Sequence, residues 1–453
     1  MRALVDFLES RLGLVSLFRS SLAEKRPPRT TGWLHTLGFA ALTTLILQFC
    51  SGIALASHYV PAAELAYDSI RALEQDVPYG AFVRSLHHIG ASAMVVLVLV
   101  HMARVFASGA YKAPRELTWL SGVGLLVLVL AFGFTGYLLP WDQKAFFATK
   151  VGTEIAGHAP LVGATLRTAL NGGDEVGPPT LTRFYVIHVV LLPLGLLGLL
   201  ALHMLLIQKH GVAGLGRPVG DEGEQGAPYF PHHTAKEAAV GALVAIALFA
   251  WAARAPAPLE ALAEPSDSAY QPRPDWYFLG LFQLLKYFKG PFEPIGAFWL
   301  PNGLLVLLAL LPFLDRSPAR GWRQRPLVVG GGACVLLAMA ALTVIGALDA
   351  PKNPPVLPAP LGLTGPERQG YLLLRRLECL GCHTAKWQGT TYGQAHEEDP
   401  PPLEDWDKGP TELADFLKDP ESEVMPDFAH VPYEDRRAIG LFVRKLQSLA
   451  KKP

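Results

Sequence analysis

Cysteine and charge are scarce in this 453-residue chain, and each shortage excludes a class of protein. Four cysteines are too few for a disulfide-stapled scaffold of this length. Charged residues make up 17% of the chain and the formal net charge is zero, so nothing indicates a nucleic-acid partner. Hydrophobic residues, in contrast, account for 51%. This composition indicates a multi-spanning membrane protein with room for an additional soluble domain.

Long charge-free stretches are the main positive signal, and seven of them predict membrane spans. Basic residues precede the first stretch and recur between stretches two and three, four and five, and six and seven. If the spans alternate, these segments share one side, which the positive-inside rule makes cytoplasmic. The odd number of spans then places the chain after residue 349 outside. The predicted spans are 37–57, 86–106, 117–139, 184–207, 238–253, 298–314 and 326–348.

Two segments outside the spans have distinct compositions. Near the N-terminus, VDFLESRLGLVSLFRSSL is not a cleavable signal peptide and predicts an amphipathic helix on the membrane surface. A solvated helix is the alternative for this segment. After the last span, APKNPPVLPAPLGLTGP is proline-rich and predicts a semi-rigid linker to a small polar domain of helical character.

Two of the spans carry histidines in a matched pattern. His87 and His101 in the second span are fourteen residues apart, which is about 21 Å along a helix and about 40° around it. His188 and His203 repeat the pattern in the fourth span, which runs in the same direction. His87 therefore pairs with His188 near the outer face, and His101 with His203 near the inner face. Zinc and copper also accept imidazole, but two such distant sites without cysteine or carboxylate favour two non-covalent b-type haems.

Glycines on the first and third spans repeat the same fourteen-residue separation. Glycine weakens a helix unless something approaches the backbone closely, so these pairs predict flat macrocycles pressed against a four-helix bundle. Ordinary small-residue packing would explain single glycines but not both repeats. Arg84 and Arg104 flank the second span, where haem propionates need cations, and snorkelling is the competing explanation. The glycines are Gly38, Gly52, Gly122 and Gly136.

Two loops on the predicted outer side combine a carboxylate with aromatic residues. GYLLPWDQKAFFATKV closes the third span, and PRPDWYFLGLFQLLKYF lies between spans five and six. Asp275 is placed between proline and tryptophan, where a carboxylate can accept a proton from a bound hydroquinone. Tyr137 and Tyr277 are predicted to hydrogen-bond or line the same pocket. An interfacial aromatic belt with a solvated aspartate is the alternative.

The C-terminal domain contains CLGCH, the sequence of covalent haem c attachment. Cys379 and Cys382 would form the thioethers and His383 would be one axial ligand. Met425 is the only methionine after the motif and is the predicted second ligand, a combination that raises the reduction potential. A redox dithiol is the competing interpretation of the two cysteines. Weaker candidates for the second ligand are His396 and His430.

Taken together, the histidine pairs, the paired glycines, GYLLPWDQ and PDWY resemble cytochrome b of the quinol–cytochrome c oxidoreductases, the cytochrome bc and b6f complexes. The resemblance covers roughly residues 1–350, and TLTRFY with only three later helices resembles the b6f branch, here fused into one chain. The last 100 residues resemble a class I cytochrome c. The resemblance implies a mostly α fold with four parts: a four-helix di-haem domain, a three-helix domain with the PDWY loop, a linker and a cytochrome c domain. Their predicted bounds are 1–215, 216–349, 350–366 and 367–453.

The resemblance also implies the activity and the partners. Quinol would be oxidised outside at Asp275, Tyr137 and Tyr277, with one electron passing to a Rieske iron–sulfur protein and then to the c haem. The other electron would cross the two b haems to a quinone near the inner face, with proton release outside and uptake inside. Expected partners are a separate Rieske protein, the quinone pool, a further cytochrome c or terminal oxidase, and a second copy in a homodimer. The expected location is a bacterial cytoplasmic membrane, with the N-terminus inside and the C-terminal domain outside.

Two departures from the family pattern carry information. Asp275 stands where the family usually has glutamate, and similar aspartate forms favour a low-potential menaquinone. Thr36 stands where the b6f branch has a cysteine that attaches an additional haem, so no covalent third haem is expected there. Lys209, His210 and Asp221 are the candidates for the inner quinone site.

Two other functions fit a haem ladder. One is a di-haem b anchor that passes electrons from a dehydrogenase or hydrogenase to quinone, fused to a c-type domain. The other is a non-catalytic conduit between the quinone pool and outer c-type carriers. Neither needs the PDWY carboxylate, so Asp275→Ala separates them from a quinol oxidase.

Overall fold

The computed structural model describes residues 26–214, 226–267, 270–349, 360, 362–387, 390–393, 400–420 and 425–450. The predicted N-terminal amphipathic helix, most of the proline-rich linker, Asp221 and His396 lie outside the described residues.

Seven helices in the described part are long and apolar enough to cross a membrane, which confirms all seven predicted spans. The fifth differs most from its prediction, because the helix begins before Lys236 and Glu237. Glu237 accepts a hydrogen bond from the Tyr229 hydroxyl at 2.6 Å, so its charge does not end the helix. The spans, numbered in chain order, are Trp33–Ala56, Gly80–Ala107, Glu116–Tyr137, Pro178–His210, Tyr229–Ala252, Gly290–Leu314 and Pro326–Leu348.

The fourth span is interrupted by a π turn at Ile187–Leu191 that contains His188. Pro193, just beyond the turn, has no N–H to continue the regular ladder of hydrogen bonds. A π turn accommodates one extra residue in a helix, and such turns are frequent at functional sites. This explains why His188 and His203 are fifteen residues apart while His87 and His101 are fourteen apart.

Shorter helices complete the fold, and we number them α1 to α7. Four lie between spans: α1 and α2 follow the first and third spans, α3 follows α2, and α4 precedes the sixth span. The C-terminal domain contains α5 to α7 and a two-stranded antiparallel hairpin, Ala385–Trp387 with Thr390–Tyr392. The helices are Ala66–Asp76, Gln143–Gly157, Gly163–Asn171, Trp276–Leu285, Gly365–Arg376, Pro410–Lys418 and Tyr433–Ala450.

One end of the bundle, which we call the domain face, carries the C-terminal domain. There Asp142 caps α2 through the Ala145 N–H at 2.8 Å and also accepts the Glu260 N–H at 2.9 Å. Arg368 of α5 pairs with Asp68 of α1 at 2.6 Å, and both side chains are largely buried. A hydrophobic core that includes Tyr371, Trp387 and Phe442 of the C-terminal domain also contains buried residues from the segments between the spans. The domain is therefore fixed on this face by both packing and charge.

The other end, which we call the opposite face, is held together by a buried ionic cluster. Asp315, after the sixth span, pairs with Lys112 at 2.8 Å and with Arg325 at 3.0 Å. The Tyr111 hydroxyl donates to the same carboxylate at 2.5 Å. The cluster joins the loop between spans two and three to the loop between spans six and seven.

Candidate functional site

The four predicted ligand histidines form pairs between the second and fourth spans. The imidazole centres of His87 and His188 are 6.3 Å apart. Two metal–nitrogen bonds of about 2 Å, plus the distance from each nitrogen to its ring centre, give about 6 Å for two imidazoles on one metal. His101 and His203 lie within electrostatic reach of each other at the other level. The described residues contain no group of three or more His, Cys, Asp or Glu side chains that could hold a metal ion, so the two-ligand geometry fits haem iron.

Three hydroxyl groups set the tautomers of these histidines. The Ser51 hydroxyl is 3.0 Å from His87 Nδ1, the Thr135 hydroxyl is 3.0 Å from His188 Nδ1, and the Ser121 hydroxyl is 2.8 Å from His203 Nδ1. Each hydroxyl donates its own hydrogen to a backbone carbonyl one turn earlier. It can therefore only accept from the imidazole, which places the proton on Nδ1 and leaves Nε2 free for iron.

Sequence reasoning missed these hydroxyl residues, although a signal was present. Ser51, Ser121 and Thr135 each directly precede one of the predicted glycines.

The four glycines lie against the four ligand rings, one glycine to each ring. A Cβ at Gly136 would be 2.6 Å from His188 Cε1, closer than any real contact. The corresponding distances are 3.2 Å for Gly52 with His87, 3.3 Å for Gly38 with His101 and 3.5 Å for Gly122 with His203. The imidazoles thus approach these positions closely and need glycine to reach their depth in the bundle, while the contact with flat macrocycles stays a prediction.

The two arginines predicted to bind propionates differ in their surroundings. Arg104 has a buried Nε without a hydrogen-bond partner, and its Nη2 donates only a long bond of 3.4 Å to the Ala213 carbonyl. A buried unpaired donor beside a ligand histidine fits an anionic group such as a propionate. Arg84 instead contacts Glu74 and donates to the carbonyls of Ala257 and Pro258. Its role as a propionate ligand stays a prediction.

The predicted quinol residues come together at the domain face. The Tyr137 hydroxyl donates to the Arg273 carbonyl at 3.2 Å, which joins the third span to the PDWY loop. The Tyr277 ring packs against Gly133 of the third span. Burial, and then the charge of Asp275, raise the pKa of the Tyr277 hydroxyl, so it stays protonated and can donate a hydrogen bond.

Lys144 is a residue of this site that the sequence analysis did not single out. Its Nζ is 2.5 Å from Asp275 Oδ1, and the exposed fractions of the two side chains are 25% for Lys144 and 18% for Asp275. The same ammonium lies 5.4 Å from the centre of the Tyr137 ring. The PDWY carboxylate is therefore paired with a cation and is not a solvated aspartate in an aromatic belt.

A polar cluster that the sequence did not reveal lies at the opposite face, near Arg104. The centres of the Tyr229 and His233 rings are 4.8 Å apart with the rings tilted by 55°, and His233 Nε2 is 3.7 Å from Glu237. His35 Nε2 lies 3.2 Å from the Ala213 carbonyl that Arg104 also contacts. The predicted inner-site residues Lys209 and His210 are at the end of the fourth span, which places them on this face too.

In the C-terminal domain, Cys379–Gly381 forms a short 3-10 turn, and the His383 N–H donates to the Cys379 carbonyl at 2.9 Å. His383 Nδ1 is 3.0 Å from the Pro401 carbonyl, which again leaves Nε2 available as a ligand. Burial raises the pKa of the Cys379 thiol to about 11, and a thiol that ionises so late is a poor redox nucleophile. Met425 packs beside the core that includes Leu417 and Phe428, and its role as a ligand stays a prediction.

Comparison with known proteins identifies the membrane part. Residues 22–211 match the family model "Cytochrome b/b6/petB", and residues 262–359 match "Cytochrome b(C-terminal)/b6/petD". The "Cytochrome bc complex cytochrome b subunit" of Chlorobaculum thiosulfatiphilum is 36% identical over 342 residues, which are 74% of this chain and 78% of the relative. The "Menaquinol:cytochrome c reductase cytochrome b subunit" of Geobacillus thermodenitrificans is 41% identical over 221 residues, 47% of this chain and 99% of the relative.

A solved structure agrees with these relatives. A chain of "Hyperthermophilic respiratory Complex III" superimposes with a TM-score of 0.69 and 30% sequence identity, covering 77% of this chain and 92% of that one. The matches span both halves of the membrane part, including the histidine pairs and the PDWY loop. The chain therefore belongs to the cytochrome b family of the cytochrome bc complexes, with its cytochrome b6-like and subunit IV-like parts in one polypeptide.

Proposed function

We propose that this chain is the membrane subunit of a proton-translocating quinol–cytochrome c reductase that oxidises quinol at the domain face. The observation that supports this most is the 6.3 Å pairing of His87 with His188, with Nδ1 of each held by a hydroxyl group. Bound haem would supply one-electron carriers linking the domain face to the opposite face.

The residues at the domain face handle the quinol protons. Oxidation of one quinol to quinone releases two electrons and two protons. Asp275 accepts one of these protons, the second is released to water at the domain face, and Tyr277 donates a hydrogen bond to a quinol oxygen. The Rieske protein that takes one electron is a separate chain, because this sequence has no Rieske-type Cys/His pairs. The 41% identical relatives are named for menaquinol, and together with Asp275 they favour menaquinol here.

We place the inner quinone site at the opposite face, in the cluster of Tyr229, His233 and Glu237. These groups lie on the side of the ligand pair His101 and His203, where a quinone that takes up electrons also needs protons. Glu237 and His233 are titratable and partly shielded from water, as proton donors to a buried quinone must be. This side would be cytoplasmic and the domain face periplasmic, as the basic loops predict.

The C-terminal domain would hold a covalent c-type haem on Cys379 and Cys382, with His383 and Met425 as axial ligands. A tethered carrier on the domain face would receive electrons from the Rieske protein and deliver them to a cytochrome c or terminal oxidase. By family resemblance the complex would be a homodimer surrounded by membrane lipid.

Asp275→Ala tests the proposal against the anchor and conduit alternatives. In the purified complex, loss of the carboxylate should lower quinol oxidation by about 100-fold, the usual scale of a general base, while both b haems remain. Unchanged quinol oxidation with intact haems would favour an anchor or a conduit.

A further inference from the structure

We propose that Lys144 is a positioning residue that holds the Asp275 carboxylate directed into the quinol site. The inference rests on the proposed function of Asp275 as proton acceptor. The observation that supports it is the ion pair between Lys144 Nζ and Asp275 Oδ1 at 2.5 Å, which joins α2 to the PDWY loop.

The place of Lys144 in its helix is unfavourable in the absence of a partner. Lys144 is the second residue of α2, where the positive end of the helix dipole disfavours a cation. Its side chain is also three-quarters buried, which costs a charge further solvation. A lysine at this position therefore depends on a nearby anion, and Asp275 supplies it.

The Asp275 side chain also lacks the hydrogen bond that is usual for an aspartate at its position. It occupies the N-cap of α4, where aspartate side chains usually accept a hydrogen bond from the first turn of the helix. Its carboxylate makes no such capping bond and contacts Lys144. An aspartate at this position could cap α4, but in the structure its carboxylate faces Lys144 instead.

Several groups surround the Asp275 carboxylate, and Lys144 is the cation paired with it. Tyr137 and Tyr277 approach the same carboxylate from the third span and from α4, and His88 lies within electrostatic reach from the second span. The Trp276 Nε1–H donates to Ser92 at 3.2 Å, which fixes the loop against the second span, one turn beyond His88. The loop is therefore anchored independently, and Lys144 acts on the carboxylate alone.

The ion pair also responds to the proton transfer itself. The attraction between Lys144 and Asp275 is lost when the carboxylate accepts the quinol proton, because the neutral acid carries no charge. The neutral acid can then leave the pair and release the proton toward the domain face.

The test is the steady-state kinetics of quinol oxidation by the purified complex, using a short-chain naphthoquinol as substrate. Lys144→Met should lower kcat by about tenfold or more and leave KM nearly unchanged, because the carboxylate is misplaced while the rest of the site remains. Lys144→Arg should restore most of kcat, because the charge is retained. Lys150→Met is the matched control, since Lys150 lies exposed on the same helix.

The outcomes separate the two claims. If Lys144→Met has the same kcat as Lys150→Met while Asp275→Asn is inactive, the role of Lys144 is refuted and the proposed quinol site stands. If Asp275→Asn oxidises quinol normally, the proposed function itself fails. If Lys144→Arg behaves like Lys144→Met, the charge is not what positions the carboxylate, which also overturns the inference.

Discussion

Replacing single glycines by alanine should affect the haem sites in a graded order that the contact distances set. At Gly136 a new Cβ would be 2.6 Å from His188 Cε1, and reaching an ordinary contact of 3.4 Å requires the ring to move by about 0.8 Å. At Gly122 the new Cβ would be 3.5 Å from His203 Cε1, already an ordinary contact. The two positions lie on the same span, so each is a control for the other.

The expected changes in stability follow from two opposing contributions. Alanine in place of glycine stabilises a helix by about 0.5–1 kcal/mol. Overpacking a tight site costs about 1–3 kcal/mol. Gly122→Ala should therefore be neutral or slightly stabilising, whereas Gly136→Ala should destabilise the site by about 1–2 kcal/mol and displace His188 from its bonding position.

Visible redox titration and haem extraction of the purified variants provide the assay. Gly136→Ala should lose or shift one b-haem component and leave the other unchanged, while Gly122→Ala should match the parent protein. Gly52→Ala and Gly38→Ala, at 3.2 and 3.3 Å, should lie between these limits. Equal spectra for Gly136→Ala and Gly122→Ala would refute the reasoning that glycine is required by ring contact.

Three further predictions concern other parts of the molecule. Thr135→Val should weaken haem retention about 10–100-fold at the domain-face site, whereas Thr44→Val, whose hydroxyl donates to the Ala40 carbonyl, should leave haem content unchanged. Burial opposes ionisation of Asp315, but hydrogen bonds from its lysine, tyrosine and arginine partners prevail and lower its pKa. Its stabilising effect is therefore complete above the ordinary carboxyl pKa of about 3.9 and is lost as pH falls through the lower folded value, so Asp315→Asn should flatten the acid side of a thermal-unfolding profile. Arg368→Ala should expose the contact between α5 and α1 to hydrogen exchange, while the exposed control Arg437→Ala should not, and equal exchange in both would contradict a docked domain.

The ladder of histidines was predictable because it depends on helical periodicity alone. Spacing along a helix fixes both depth and direction, so His87 and His101 could be placed from the sequence, and the glycine repeats identified the neighbouring helices. The one irregularity, the extra residue between His188 and His203, could be counted but not explained. Its cause is a π turn before Pro193, which no periodic pattern reveals.

Contacts between distant segments could not be predicted. Lys144 and Asp275 are separated by 131 residues, and their pairing follows from the way Asp142 holds the segment after the fifth span. The charge-free criterion also began the fifth span too late, because it treated Glu237 as a solvated charge when the residue is paired with Tyr229. In both cases a hydrogen-bonding or ion-pair partner lowered the free-energy cost of burying a charged residue.

The most direct test of the central claim is a redox-titrated visible spectrum of the purified full-length protein in detergent or lipid. Two imidazole pairs at different depths predict two b-type components in equal amounts, each lost separately when His87 or His101 is replaced by alanine. A third, covalently attached c-type component should disappear with Cys379→Ser and leave both b components in place. A single b-type component in the unaltered protein, or loss of both components together in the His87 and His101 variants, would contradict two independent haem sites.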